Sequence, residues 1–337
     1  MPVVHVLLTF LVFIMVIVTV LTIRGGPAAA AGDGGSIWGA DYFPNVPLVT
    51  HEGKTVRFFD DLIKGKVVAI NFIYTSCPDA CPLETASLRE VQEILGDQVG
   101  RDVFMYSITI DPETDTPEVL KKYAERFQVG PGWLFLTGKE ADITLIRKKL
   151  GLYRDEAGSD KLEAHMLSGI IGNQSTGRWM KMSPFENPYI LATQIGSWLP
   201  NYKTPGRKEQ NYANAPKVRT ISKGESLFRT RCATCHTVGG GNVSRKSGKR
   251  NFGPDLAGVT GKRDREWLTR FLAKPDKMVA EKDPLTMALL AEYDNVLMPN
   301  LRLSEVDIQA LLAYIEDESR RKEHRNPAAA GHQTHPQ

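Results

Sequence analysis

The sequence predicts an α/β domain followed by an all-α domain, with an apolar segment ahead of both, and three features carry that prediction. Between residues 41 and 200, continuous apolar runs alternate with amphipathic helical patterns, as in a layered α/β fold. From residue 220 to 320 the chain holds several helical patterns and almost nothing that reads as strand. Between them, 201–219 is polar, carries Pro205 and Pro216 and has little periodicity, which makes it a linker. At 337 residues the chain can bury two cores.

The N-terminal segment sets the expected compartment. Val3–Ile23 carries no charge and is interrupted only by His5, Thr9, Thr19 and Thr22. A helix there is roughly 30 Å long, enough to span a bilayer. Residues 1–26 are therefore expected to be a membrane anchor, with a signal peptide as the alternative. Ala28-Ala29-Ala30 offers a small-residue cleavage site, but the apolar run exceeds a typical signal core and lacks Lys or Arg before it. Residues 27–40 read as a flexible stalk, which puts both domains on the periplasmic or extracytoplasmic side of the cell membrane. The balance of 42 basic and 39 acidic residues, net +3, gives no argument for nucleic-acid binding. The four cysteines form two close pairs, Cys77/Cys81 and Cys232/Cys235, a pattern of cofactor or redox sites rather than of a disulfide-stapled scaffold.

In the first domain, Val67–Tyr74 is a continuous apolar and β-branched run that suits a strand buried on both faces. Thr75-Ser-Cys77-Pro-Asp-Ala-Cys81-Pro82 follows, then a helical pattern over Leu83–Leu95, so both cysteines stand where a strand hands over to a helix. Pro82 suits the first helical turn. A helix N-terminus favours thiolate, so it is expected to lower the thiol pKa. Val103–Ile110 predicts a second central strand. Thr116-Pro117-Glu118 then caps a helix whose Leu120, Tyr123, Ala124 and Phe127 share one face. Trp133–Leu136 predicts a third strand, Lys139–Leu150 a helix, Met166–Gly172 a strand, Ser175–Gly177 a turn and Pro188–Leu199 a helix. Strand, cysteine pair and helix in this order define a thioredoxin-like α/β domain.

Three residues separate Cys77 from Cys81, which in helical geometry puts the sulfurs at i and i+4 on one face. Two thiolates form a soft, low-coordinate site suited to copper(I), and an imidazole makes it a trigonal site that also tolerates copper(II). The histidines of this domain are His51, in a hairpin-like stretch, and His165, just before a predicted strand.

These residues carry a family resemblance. Thr75–Pro82, Ile110-Asp-Pro-Glu-Thr-Asp-Thr-Pro117 running into Leu120–Phe127, and Trp133-Leu-Phe-Leu-Thr-Gly138 resemble the Sco/SenC copper chaperones over most of Tyr42–Pro200. The resemblance implies a thioredoxin-like domain that binds copper through two cysteines and a distal histidine, and that helps assemble the binuclear copper centre of cytochrome c oxidase. Cys77, Cys81 and His165 occupy those positions. Met166 stands where the family often has a small polar residue, either as a core side chain or as an extra soft ligand.

The second domain opens with the capping box Ser222-Lys-Gly-Glu225 and a helix leading through Leu227 and Phe228 into Cys232-Ala-Thr-Cys235-His236. In this motif the thiols add to the two haem vinyl groups and the imidazole reaches the iron. A zinc knuckle needs a second ligand pair, and the chain has no further cysteine. Met278, Met287 and Met298 are the methionines downstream, and Met298-Pro299 precedes a helix over Ser304–Glu318 with Ile308, Leu311, Leu312 and Ile315 on its buried face. Together with Gly253-Pro254-Asp255-Leu256 and Trp267-Leu268, the stretch resembles a small class I cytochrome c. That resemblance implies Met298 as distal ligand of one haem c, Met287 in reserve, and Pro254 orienting His236. Residues 321–337, with His324, His332 and His335, read as a disordered tail.

The leading expectation is a copper-binding assembly factor for a terminal oxidase, with the haem exchanging electrons with bound copper or with a respiratory donor or acceptor. Its partner is then the copper-centre subunit of cytochrome c oxidase. A thiol:disulfide oxidoreductase working through Cys77 and Cys81 is the second expectation, and a membrane-anchored electron carrier is the third.

Overall fold

The computed structural model describes residues 38–78, 80–153, 162, 167–201, 220–243 and 250–325. Its organising strand is the apolar run read above. Every residue of β3 (Val67–Ile73) is buried, because β-branched and aromatic side chains point alternately to the two faces of the sheet. Val67, Ala69 and Ile73 join one core cluster, and Val68, Ile70 and Phe72 join the other. β1 (Pro47–Thr50) and β2 (Thr55–Arg57) form a hairpin, and β4 (Val103–Thr109), β5 (Trp133–Gly138), β6 (Gly169–Asn173) and β7 (Arg178–Met182) complete a seven-stranded sheet in the order β2-β1-β5-β4-β3-β6-β7. β3, β4 and β5 run parallel, with Val67 beside Val103 and Ile73 beside Thr109, while β1, β6 and β7 pair antiparallel.

The helices are α1 (Cys81–Leu95), α2 (Pro117–Arg126), α3 (Glu140–Lys149) and α4 (Pro188–Thr193). α1, α2 and α4 supply Leu88, Val91, Leu120, Tyr123 and Leu191 to one core, and α3 supplies Ile143 and Ile146 to the opposite one. Thr116 caps α2 by accepting a hydrogen bond from the Val119 N–H. The helix expected over Pro188–Leu199 is α-helical only to Thr193 and continues as a wider turn over Gln194–Trp198. The strand expected over Met166–Gly172 begins at Gly169, and β7 has no counterpart in the sequence reading. It is an edge strand with exposed Met180 and Lys181, so no apolar run marks it.

The second domain is helical: α5 (Lys223–Leu227), continuing as a wider turn over Phe228–Cys232, then α6 (Arg265–Ala273), α7 (Pro275–Ala280), α8 (Pro284–Glu292) and α9 (Glu305–Arg325). Ser222 caps α5 through the Glu225 N–H at 3.1 Å, but the Glu225 carboxylate pairs with Arg229 at 2.8 Å instead of closing the box. Ile308, Leu311, Leu312 and Ile315 of α9 pack with Phe228, Cys232 and Leu268. Gly224 lets α5 approach α9 closely, since a Cβ there would lie 2.0 Å from the Ala310 carbonyl oxygen. α9 runs to Arg325, beyond the expected Glu318. Among the described residues no helix is long and apolar enough to cross a membrane, and Val3–Ile23 lies outside them.

Candidate functional site

The first half of the site is the turn from β3 to α1. Asp115 anchors it. Its buried carboxylate accepts from the Thr75 N–H at 3.0 Å, from the Thr75 hydroxyl, and from the Thr109 hydroxyl at 2.5 Å, tying the start of the cysteine loop to the end of β4. Burial pushes this carboxyl up, and the bonds from the two threonines oppose the shift. Cys77 donates its N–H to the Tyr74 carbonyl at 3.2 Å, and Cys81 opens α1 just before Pro82.

Cys77 and Cys81 are not joined in a disulfide, are 2 % and 0 % exposed, and are hydrogen-bonded to each other. The expected lowering by the helix terminus is not what the structure gives for Cys81. Its thiol is pushed strongly up, first by the hydrogen bond with Cys77, then by burial and by the nearby Cys77 and Glu84 charges. A helix terminus supplies only about half an elementary charge, which a dry site beside another ionisable sulfur outweighs.

Beneath the pair lies a buried polar chain. Trp133 Nε1 donates to Ser107 Oγ at 2.9 Å, Ser107 Oγ donates to Asn71 Oδ1 at 2.7 Å, and Asn71 Nδ2 donates to Glu84 Oε1 at 2.9 Å. Glu84 is 1 % exposed, and its Oε2 has no hydrogen-bond partner among the described residues. Burial pushes its carboxyl up to about 8 against the Asn71 bond, and the Cys77 charge adds to the rise. Tyr123 donates its hydroxyl to the Cys81 carbonyl at 3.3 Å, holding the first turn of α1 against α2.

Of the two histidines considered, His51 accepts the Phe135 N–H at its Nδ1 at 3.1 Å, which commits that nitrogen to the β1–β5 edge. His165 and Met166 lie outside the described residues. Among the described residues no three His, Cys, Asp or Glu side chains gather into a metal-holding group.

The second half of the site is a cavity of about 270 Å³ walled by Cys232, Cys235, His236, Pro254, Leu268 and Met298 among others. His236 Nδ1 meets the Pro254 carbonyl at 2.9 Å, which leaves Nε2 for a ligand. Burial holds the imidazole below its usual pKa, in the neutral form that binds metals. Gly253 is required here, because a Cβ would lie 2.3 Å from His236 Cε1. Asp255 organises the surrounding loop, accepting from Thr237 Oγ1 at 2.8 Å and the Gly239 N–H at 2.9 Å. Burial works against its charge, but the combined hydrogen bonds outweigh it and hold the carboxyl below the usual range.

The structure thus places Cys232, Cys235, His236 and Met298 on one wall system, whereas Met287 is 38 % exposed and is not part of it. Burial pushes both cysteine thiols up to about 12, so the wall is neutral where uncharged thioethers form. An apolar cavity with two sulfurs, one oriented imidazole and a thioether fits a haem c, which supplies a one-electron couple when bound. Sequence reasoning assigned no role to Glu84, Asp115 or Asn71. Asp115 stands within the quoted Asp-Thr-Pro motif, which was its only signal, while Asn71 is a lone polar residue in an apolar strand.

Fold and site together define a thioredoxin-like dithiol domain joined to a helical haem-binding domain. The SCO1/SenC family model matches residues 40–198 and the cytochrome c family model matches residues 221–318. The chain therefore carries a SCO1/SenC domain followed by a cytochrome c domain. It is 38 % identical to an SCO2-like protein of Rickettsia prowazekii over 128 residues, covering 37 % of this chain and 61 % of that protein. With the sco1 protein of Schizosaccharomyces pombe it shares 37 % identity over 106 residues, 32 % of this chain and 39 % of that one. The matched stretch spans only 45–61 % of the length of the Rickettsia relatives. Among solved structures, a copper-bound ScoI of Bradyrhizobium japonicum is 27 % identical with a TM-score of 0.38, covering 45 % of this chain and 97 % of that one. An SCO1/SenC family lipoprotein of Bacillus anthracis is 25 % identical with a TM-score of 0.39, covering 45 % of this chain and 92 % of that one.

Proposed function

We propose that the protein binds copper at Cys77 and Cys81, with His165 as third ligand, and serves as an assembly factor for the binuclear copper centre of cytochrome c oxidase. The observation that carries this reading is the buried pair of thiols, unbridged by a disulfide and in mutual hydrogen-bond contact, at the start of α1. Two sulfurs that oppose each other's ionisation in a dry site favour a partner that is soft, singly charged and content with few ligands, and Cu(I) is that cation. It replaces the protons, which pass to solvent, and leaves a site of one net negative charge instead of two. A one-electron couple in the second domain matches the one-electron change between Cu(II) and Cu(I), whereas reducing a disulfide takes two electrons. In this proposal Val3–Ile23 holds the protein to the cell membrane, with both domains outside the cytoplasm and facing the oxidase and its electron donors.

An anaerobic Cu(I) titration of the reduced, haem-loaded protein against a competing chelator tests the reading. Wild type is expected to take up one equivalent tightly, Cys77→Ser to lose tight uptake, and His165→Ala to weaken Cu(II) far more than Cu(I). Absence of tight Cu(I) uptake in the wild type refutes the reading.

A further inference from the structure

The cysteine loop of the first domain and the cavity of the second meet along one face. The Asn300 N–H, two positions past Met298, donates to the carbonyl of Pro78, the residue after Cys77, at 3.2 Å. Leu83, two positions past Cys81 and 6 % exposed, belongs to the wall of the cavity that Cys232, Cys235, His236 and Met298 also line. Farther along, the Phe127 and Phe252 rings lie 5.5 Å apart, and Gln128 Nε2 donates to the Arg250 carbonyl at 3.2 Å. Gln128 stands at φ 53°, a left-handed conformation that strains a residue with a Cβ. Arg89 Nε holds it there through its carbonyl at 2.8 Å. Both ends of the thiol loop, Pro78 and Leu83, therefore abut the second domain.

Asn300 is itself tightly held. Its Nδ2 donates to Asp276 Oδ1 at 2.8 Å and its Oδ1 accepts the Arg302 N–H at 3.0 Å, while Pro299, before it, is buried with a fixed φ. Asn300 thus ties Pro78 to the Met298-Pro299-Asn300 segment. Packed interfaces of this kind respond as units.

We propose that the two centres are mechanically coupled, with Leu83 and the Asn300–Pro78 hydrogen bond as positioning contacts through which filling of the Cys77/Cys81 pair changes the seating of Met298. The inference rests on both centres being as assigned above, and it adds a direction of influence that neither requires. Cu(I) held by the two sulfurs, with both thiol protons passing to solvent, would reset the spacing of Cys77 and Cys81, to which Pro78 and Leu83 are tied. That adjustment reaches the cavity wall through Leu83 at one end and through Asn300 at the other.

The test uses the full-length, haem-loaded protein and reads the methionine–iron absorption band of the ferric haem and the haem midpoint potential, before and after one equivalent of Cu(I) and, in parallel, of redox-inert Ag(I), which cannot reduce the haem, with uptake followed throughout. Wild type is expected to shift in both. Leu83→Ala is expected to bind Cu(I) as wild type does while losing most of the shift, and Asn300→Ala, which releases the segment from Asp276 and the Arg302 N–H, to reduce it. Cu(I) uptake with no change in band or potential overturns the coupling and leaves the copper reading standing. A full shift in both variants overturns the assignment of the contacts. If Cu(I) is not taken up, the copper reading falls. The coupling is then decided by carboxymethylating Cys77 and Cys81 under the same readout, where an unchanged band overturns it.

Discussion

Glu84 shows how burial sets chemistry at the level of a single residue. Its carboxyl sits under the thiol pair with one oxygen bonded to Asn71 and the other unpartnered among the described residues. Its folded pKa of about 8 lies above the ordinary 4.5, so the stability it allows is complete below about 4.5 and is lost as pH rises through about 8. At roughly 1.4 kcal/mol per pH unit the loss amounts to a few kcal/mol. Glu84→Gln, measured by urea unfolding of the metal-free protein, is therefore expected to flatten the decline between these pH values and to be the more stable form above pH 8. A Gln variant less stable than wild type at high pH contradicts the account. Gly253 makes a similar point through sterics. Gly253→Ala is expected to displace His236 and shift the Soret band of the haem spectrum, whereas an unchanged spectrum means that the loop relaxes around the methyl. The two cysteine pairs and His236 stand out in the sequence by their spacing, and Met298 through the resemblance to a class I cytochrome c. Glu84 and Asn71 do not, since their roles arise from one strand and one helix closing over each other.

Elements were legible where one force dominated. The run Val67–Ile73 declares itself because it is apolar on both faces, and α2 because Thr116-Pro117 marks its start and its apolar residues keep helical spacing. β7 was not legible, because an edge strand with one wet face needs no apolar run. The upward shift at Cys81 belongs to the same lesson: the helix terminus was readable, but the burial that overrides it is a tertiary property. The α5–α9 crossing depends on an absent side chain at Gly224. Gly224→Ala is expected to cost about 1–3 kcal/mol in the second domain through overpacking, read as a lower melting temperature for the haem-loaded protein. An unchanged melt shows that the crossing tolerates a Cβ.

At the scale of the whole molecule, hydrophobic patterning reads as an α/β unit followed by a helical unit, and the family models match residues 40–198 and 221–318. What composition does not show is that the units share a wall. Pro78 meets Asn300 and Leu83 reaches the second domain's cavity across more than half the chain, contacts with no periodic signature in either segment. That shared wall places a dithiol site beside a haem site, and it is the reason the copper reading and the haem reading belong to one account.

The most direct test of that account is copper K-edge X-ray absorption on the Cu(I)-loaded, full-length protein. The account predicts sulfur neighbours in the first shell with a lighter nitrogen scatterer from His165, and loss of the sulfur signal in a Cys77→Ser/Cys81→Ser variant. A first shell of nitrogen and oxygen alone, or a sulfur signal that survives the double substitution, contradicts it.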